Sequence, residues 1–113
     1  MRSNINGLET LATIAFYPPE DIVIGYHDDM DGMLAAVAVK HRIKEIKGEE
    51  ESKITYQKMQ YHKDRTTGLD GLIGKKLVIL VDFCMPREPE FIELKENGLE
   101  EIHIYDHHKT AMD

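Results

Sequence analysis

Asp21-Ile22-Val23-Ile24-Gly25-Tyr26-His27-Asp28-Asp29-Met30-Asp31-Gly32-Met33-Leu34-Ala35-Ala36-Val37-Ala38 decides the fold. It opens with a β-branched apolar run, passes through a histidine and three aspartates, and closes in a run of small apolar residues. The first part reads as a buried strand over residues 22 to 27, because continuous apolar runs suit strands covered on both faces. The last part predicts a helix from Gly32 to Lys47, with Ala35, Ala36 and Ala38 lying close to a sheet, Lys40, Lys44 and Lys47 facing water, and Gly48 as its stop. Between them the acidic residues repel one another and resist burial unless a cation sits among them. On an extended backbone, His27, Asp29 and Asp31 point one way and Asp28 and Met30 the other.

Outward from this stretch, residues 1 to 16 carry Ile5, Leu8, Leu11, Ala12, Ala15 and Phe16 at helical spacing before Tyr17-Pro18-Pro19. Residues 1 to 20 are therefore expected to form an N-terminal helix or arm, and residues 21 to 113 one domain. Glu49 to Ser52 reads as a polar turn. Ile54 to Tyr61 alternates enough for a second strand near an edge, and His62 to Gly74 reads mostly as loop. Lys76-Leu77-Val78-Ile79-Leu80-Val81-Asp82 predicts the central strand, five apolar residues followed by a carboxylate. Glu88 to Asn97 reads as a short helix entered through Pro86 and Pro89 and closed by Asn97-Gly98. Glu101 to Tyr105 is a fourth strand running into Asp106-His107-His108.

The order helix, strand, helix, strand, strand, helix, strand predicts an α/β fold. Its expected form is a parallel, Rossmann-like sheet of about four strands flanked by helices. Ligands of open parallel sheets bind beyond the carboxyl ends of the strands. Three strands here end in residues that hold metals: His27/Asp29/Asp31, Asp82, and Asp106/His107/His108. A lone aspartate at a strand end is usually a turn residue. The agreement of three strand ends gives Asp82 a second meaning.

With 113 residues, 42% hydrophobic and 31% charged, the chain is sized and composed for one globular core. A formal net charge of −7 argues against sequence-independent binding to a nucleic-acid backbone. Bound divalent cations reverse that sign locally, so a phosphorylated substrate can still be accepted. The single cysteine, Cys84, permits neither an intrachain disulfide nor a cysteine-built zinc site, and a reducing cytoplasm is the expected location. No signal peptide, membrane span or membrane partner is expected.

Carboxylate-rich sites with one or two imidazoles suit Mn²⁺ best and Mg²⁺ next. Two such ions ~3.5–4 Å apart can share a carboxylate and a water and turn that water on a phosphoryl group. Asp82 is placed to bridge them. An EF-hand loop starting at position 27 needs aspartate there and glutamate at its twelfth place, where the chain has His27 and Ala38. A haloacid-dehalogenase-type reading of Asp29-Met30-Asp31-Gly32 leaves Asp106-His107-His108 unused.

Three segments together, His27-x-Asp29-x-Asp31-Gly32 with Ala35-Ala36, Val81-Asp82-Phe83-Cys84-Met85-Pro86, and Tyr105-Asp106-His107-His108-Lys109-Thr110-Ala111, resemble the DHH phosphoesterase family in order and spacing. The likeness is closest to its exopolyphosphatase-like and oligonucleotide-hydrolysing members. The resemblance implies two Mn²⁺ ions and hydrolysis of phosphoester or phosphoanhydride bonds in short oligonucleotides, nucleotides or polyphosphate. It implies metal ligation by His27, Asp29, Asp31, Asp82 and His107, with Asp29 on the first ion, Asp31 on the second and Asp82 between them. His108 would meet a substrate phosphate, and Asp106 would orient the neighbouring histidines. Lys109 and Arg65 are candidates for further phosphate contacts. The family resembled continues into a further aspartate and a smaller substrate-gripping lobe. The chain is therefore expected to be the first part of a catalytic lobe, with a weakened second metal position and a tendency to self-associate or to accept a complementing chain. The alternative is a catalytically incomplete module that binds metal, nucleotide or a partner protein in a regulatory role.

Overall fold

The computed structural model describes residues 8–61, 66–83 and 88–105. Arg65, Cys84, Asp106, His107, His108 and Lys109 lie outside the described residues. Four strands, β1 (Ile22–His27), β2 (Thr55–Met59), β3 (Leu77–Val81) and β4 (Glu101–Tyr105), form one sheet in the order β2-β1-β3-β4. Every pairing is parallel, with Ile24 opposite Tyr56 and Ile79, and Val81 opposite Tyr105. The helices are α1 (Leu8–Phe16), α2 (Met30–Lys47) and α3 (Glu88–Glu96). The α/β class and the parallel four-stranded sheet are as expected.

The apolar runs of β1 and β3 divide between two cores because side chains alternate along a strand. Ile22 and Ile24, with Leu77, Ile79 and Val81, pack under Val39 and Ile43 of α2 and Ile14 of α1. Val23, Val78 and Leu80 face the opposite layer, where Leu69, Leu72, Phe83, Leu94 and Leu99 cover them. Both central strands are thus buried on two sides, which is why neither shows a polar alternation. β2 lies at an edge, as its mixed sequence predicts, and β4 is the other outer strand.

Two stretches read as polar or uninformative hold core residues. Residues 48 to 53 form a 3₁₀ helix instead of a simple turn, and Glu51 is buried there, accepting a 2.6 Å hydrogen bond from the Tyr56 hydroxyl. In the 62-to-74 segment, a 3₁₀ turn (Leu69–Gly71) places Leu69 and Leu72 in the core. Gly68, at φ 94°, makes this possible, since a Cβ there would lie 2.2 Å from the Lys58 carbonyl oxygen. Few apolar letters occur in that segment, but two of them are fully used.

The tyrosine hydroxyls anchor charged residues to the core and set an alkaline limit. Burial, and then the 3.0 Å hydrogen bond to Glu100, push the Tyr17 phenol up to about 12. Burial and the bond to Glu51 raise Tyr56 as well. An unfolded tyrosine ionises near pH ~10. The stabilisation is therefore complete below that pH and is lost as pH rises through the folded-state values. Thermal melts should show the wild type losing stability above about pH 10. The Tyr17→Phe and Tyr56→Phe proteins should follow a flatter curve, and an unchanged slope in both would contradict the assignment.

Candidate metal centre at the sheet switch point

In the order β2-β1-β3-β4 the chain leaves β1 toward one edge and re-enters at β3 on the other side. The crevice between the carboxyl ends of β1 and β3 is the topological switch point of the sheet, where open α/β folds bind ligands. His27 is the last residue of β1, and Asp82 follows the last residue of β3. Asp29 stands between β1 and α2. One ligand atom from each of His27, Asp29 and Asp82 lies within 4.8 Å of the others.

Each of the three is fixed by local structure. Asp29 is the N-cap of α2, with extended backbone at φ −150° and Oδ1 accepting the Gly32 N–H at 2.8 Å. Its other oxygen, Oδ2, stands 2.8 Å from His27 Nδ1. The opposite ring nitrogen, Nε2, is 2.9 Å from Gln60 Oε1. The imidazole is further held by rings, with Tyr61 at 5.5 Å and Phe83 at 5.8 Å between centroids, while Tyr61 and Phe83 stack on each other at 4.4 Å. Asp82 is 1% exposed and is the only described non-glycine residue at positive φ, at 56°. Its N–H donates to the Tyr105 carbonyl at 2.7 Å, which ties the end of β3 to the end of β4. An aspartate can adopt this left-handed conformation, and such outliers gather at functional sites.

Gly32 decides whether the centre can form. A Cβ at that position would lie 1.9 Å from the His27 carbonyl oxygen and 2.9 Å from its nitrogen. Only glycine lets the first turn of α2 sit against the end of β1. The Asp-x-Asp-Gly pattern therefore joins a ligand, a cap and a close backbone approach in four residues.

The donor set fits a divalent cation. One imidazole and two carboxylates, one of them nearly inaccessible to solvent, form an anionic group that burial disfavours without a positive charge. Opposite ligands on an ion with ~2.1 Å bonds lie roughly 4.2 Å apart, so the observed spread closes by small side-chain rotations. His-Asp-Asp donors accommodate Mn²⁺, Mg²⁺ and, with a lower coordination number, Zn²⁺.

Of the sequence-predicted ligands, His27, Asp29 and Asp82 are brought together. Asp31 is not part of this group of three. α2 begins at Met30, two residues before the expected start, so the backbone at Asp31 is helical and its side chain is exposed in the first turn. This corrects the expected alternation of His27, Asp29 and Asp31 on one side. Asp28 is exposed, in keeping with a bystander, and its N–H donates to the Met59 carbonyl at 2.9 Å. His107, His108, Asp106, Lys109 and Arg65 fall outside the described residues.

Sequence reasoning missed Gln60 and the Tyr61–Phe83 pair, which approach His27 across the sheet and leave no local signal. It also missed the cap role of Asp29, although an aspartate ahead of an apolar helical run is a recognised start signal. Buried Glu90 accepts from Thr66 twice, at 2.7 Å from N and 2.8 Å from Oγ1, clamping the segment after β2 to α3.

A parallel α/β sheet with a histidine and two carboxylates at its switch point defines a carboxylate-rich centre on a doubly wound fold. The model of the DHH family, N-terminal domain, matches residues 21–113. The chain belongs to the DHH family. No curated protein and no solved structure matched it. No described helix is long and apolar enough to cross a membrane.

Proposed function

We propose that the chain is a metal-dependent phosphoesterase domain. In this reading it hydrolyses phosphoester or phosphoanhydride bonds of small phosphorylated substrates, such as short oligonucleotides, nucleotides or polyphosphate. The observation that carries the reading is the convergence of His27, Asp29 and Asp82 at the switch point in a DHH-family chain. His27, Asp29 and Asp82 would hold the first Mn²⁺, for which Mg²⁺ is a substitute. Asp31 and His107 would complete a second position, with Asp82 shared. Divalent cations held there supply Lewis acidity toward a phosphoryl oxygen and an activated water.

The chain's own residues set the geometry. Gly32 fixes one Asp29 oxygen and leaves the other facing His27. Gln60 and the Tyr61–Phe83 pair hold the imidazole ring, and the backbone at Asp82, with φ at 56°, carries a buried carboxylate whose oxygen lies within 4.8 Å of the His27 and Asp29 donors. His108, Lys109 and Arg65 would receive substrate phosphate, and Asp106 would orient the histidines beside it.

A second reading, a metal-binding regulatory module without turnover, draws on Asp31 standing apart from the three-residue group. Hydrolysis of short oligonucleotides, mononucleotides and polyphosphate by the purified 113-residue chain, with and without Mn²⁺, separates the two. The phosphoesterase reading expects multiple turnovers that require metal and vanish in the His27→Ala protein. Metal binding without turnover on every substrate supports the module.

A further inference from the structure

Glu90, in the first turn of α3, is buried at 6% exposure, and both its carboxylate oxygens serve one residue of another segment. Oε2 accepts from the Thr66 N–H at 2.7 Å and Oε1 from the Thr66 hydroxyl at 2.8 Å. A buried carboxylate lowers stability unless hydrogen bonds satisfy it, and an apolar pair would join α3 to this segment without that cost. What the charged acceptor adds is direction. Two charge-assisted bonds to one residue fix both its place and its orientation.

Thr66 begins a series of contacts that ends at the metal centre. Thr67 follows it across one planar peptide and pairs with Gln60 in both directions. The Thr67 N–H donates to the Gln60 carbonyl at 2.9 Å, and the Gln60 N–H to the Thr67 carbonyl at 3.2 Å. Beyond Thr67 the chain is held by Leu69 in the core, so Glu90 and Leu69 anchor the bridge from its two sides. Gln60 in turn sets Oε1 2.9 Å from His27 Nε2. Because Gln60 is exposed, water competes with His27 for its amide, and the contact is weak by itself. It persists where the backbone presents the side chain in the right place, and the Thr67 bridge does this.

We propose that Glu90 is a positioning residue of the metal centre, holding Gln60 against the His27 imidazole through Thr66 and the Thr67 bridge. The effect on cation binding rests on the metal-centre reading, whereas the restraint on His27 is a property of the metal-free chain.

Two measurements on the full 113-residue chain test this. In NMR of the metal-free protein, Glu90→Gln keeps the side-chain shape but turns an amide toward one Thr66 donor. It is expected to shift the His27 ring resonances and to speed hydrogen exchange at the Gln60 and Thr67 amides beyond any change at the core amides of β3. Thr66→Val, which removes only the hydroxyl, is expected to act in the same direction, and Thr66→Ser, which keeps both donors, to match the wild type. In Mn²⁺ titrations, Gln60→Ala and Glu90→Gln are each expected to weaken binding by about three- to tenfold. The double variant is expected to bind no more weakly than Gln60→Ala alone, because the two residues act in series. A clamp that served only the fold would lower the melting temperature and leave the His27 resonances and the Mn²⁺ affinity unmoved. Unshifted His27 resonances in Glu90→Gln, a wild-type Mn²⁺ affinity in that variant, or losses that multiply in the double variant would each overturn the proposal. If the wild type takes up no Mn²⁺, the metal-centre reading falls, and the metal-free signals still decide whether Glu90 places His27.

Discussion

The Asp82→Asn protein is expected to melt above the wild type without metal and to lose the stabilisation that Mn²⁺ confers. Asparagine keeps the shape of the side chain and is at home at the positive φ of this position. The substitution therefore isolates charge. In the wild type a carboxylate at 1% exposure shares a group with Asp29, and burial of such a charge costs stability until a cation arrives. Removing it is expected to raise the metal-free protein by about 1–2 kcal/mol, or ~4–8 °C or more in melting temperature for a domain of this size. The same change takes away an anionic ligand. A wild-type shift of about 2.7 kcal/mol at a hundredfold excess of Mn²⁺ over its dissociation constant should fall to near zero. Differential scanning calorimetry of both proteins, with chelator and with Mn²⁺, reads the two effects separately. A metal-free protein destabilised by the change, with the Mn²⁺ shift left at its wild-type size, would show that Asp82 serves the fold alone.

Gly32→Ala has the largest expected cost to the fold. The added methyl would stand 1.9 Å from the His27 carbonyl oxygen, and both partners are backbone, so no side chain can rotate away. Overpacked interiors typically lose 1–3 kcal/mol, and a backbone collision belongs at or above about 3 kcal/mol. The helix must withdraw from β1, taking the Asp29 cap with it. Urea unfolding should show the loss, and Mn²⁺ should no longer protect what remains folded. Gly48→Ala makes the comparison informative. A Cβ there meets nothing within 4 Å, and only the positive φ of 62° is strained. Its cost is expected at about 1 kcal/mol with metal binding intact. Equal effects of the two substitutions would refute the steric account of Gly32.

The sheet was legible because its central strands carry their burial in their composition. Five consecutive apolar residues at Leu77–Val81 allow little but a covered strand, and the crossover lengths then require parallel neighbours. Parallel strands share one carboxyl edge, so His27 and Asp82 were legible on the same side of the sheet, but the order that makes β1 and β3 neighbours at the switch point rests on pairing between distant segments. Asp31 was harder to read. Its position depends on whether the backbone at Met30 is extended or helical, and that choice rests on the Asp29 cap and on the space that Gly32 leaves open. Glu51 and Glu90 were hidden for another reason. Each is a charged residue in a polar run, and only a partner distant in sequence, Tyr56 or Thr66, makes its burial affordable. Gln60 and Tyr61 reach His27 by the same kind of long-range pairing.

The central claim is that His27, Asp29 and Asp82 hold a divalent cation. Calorimetric titration of metal-stripped protein with Mn²⁺ tests it most directly, run on the wild type and on the His27→Ala, Asp29→Asn and Asp82→Asn proteins. The account predicts saturable binding of at least one ion per wild-type chain, with affinity reduced by about tenfold or more in each variant. Wild-type protein that takes up no Mn²⁺, or variants that bind it as tightly as the wild type, would contradict it.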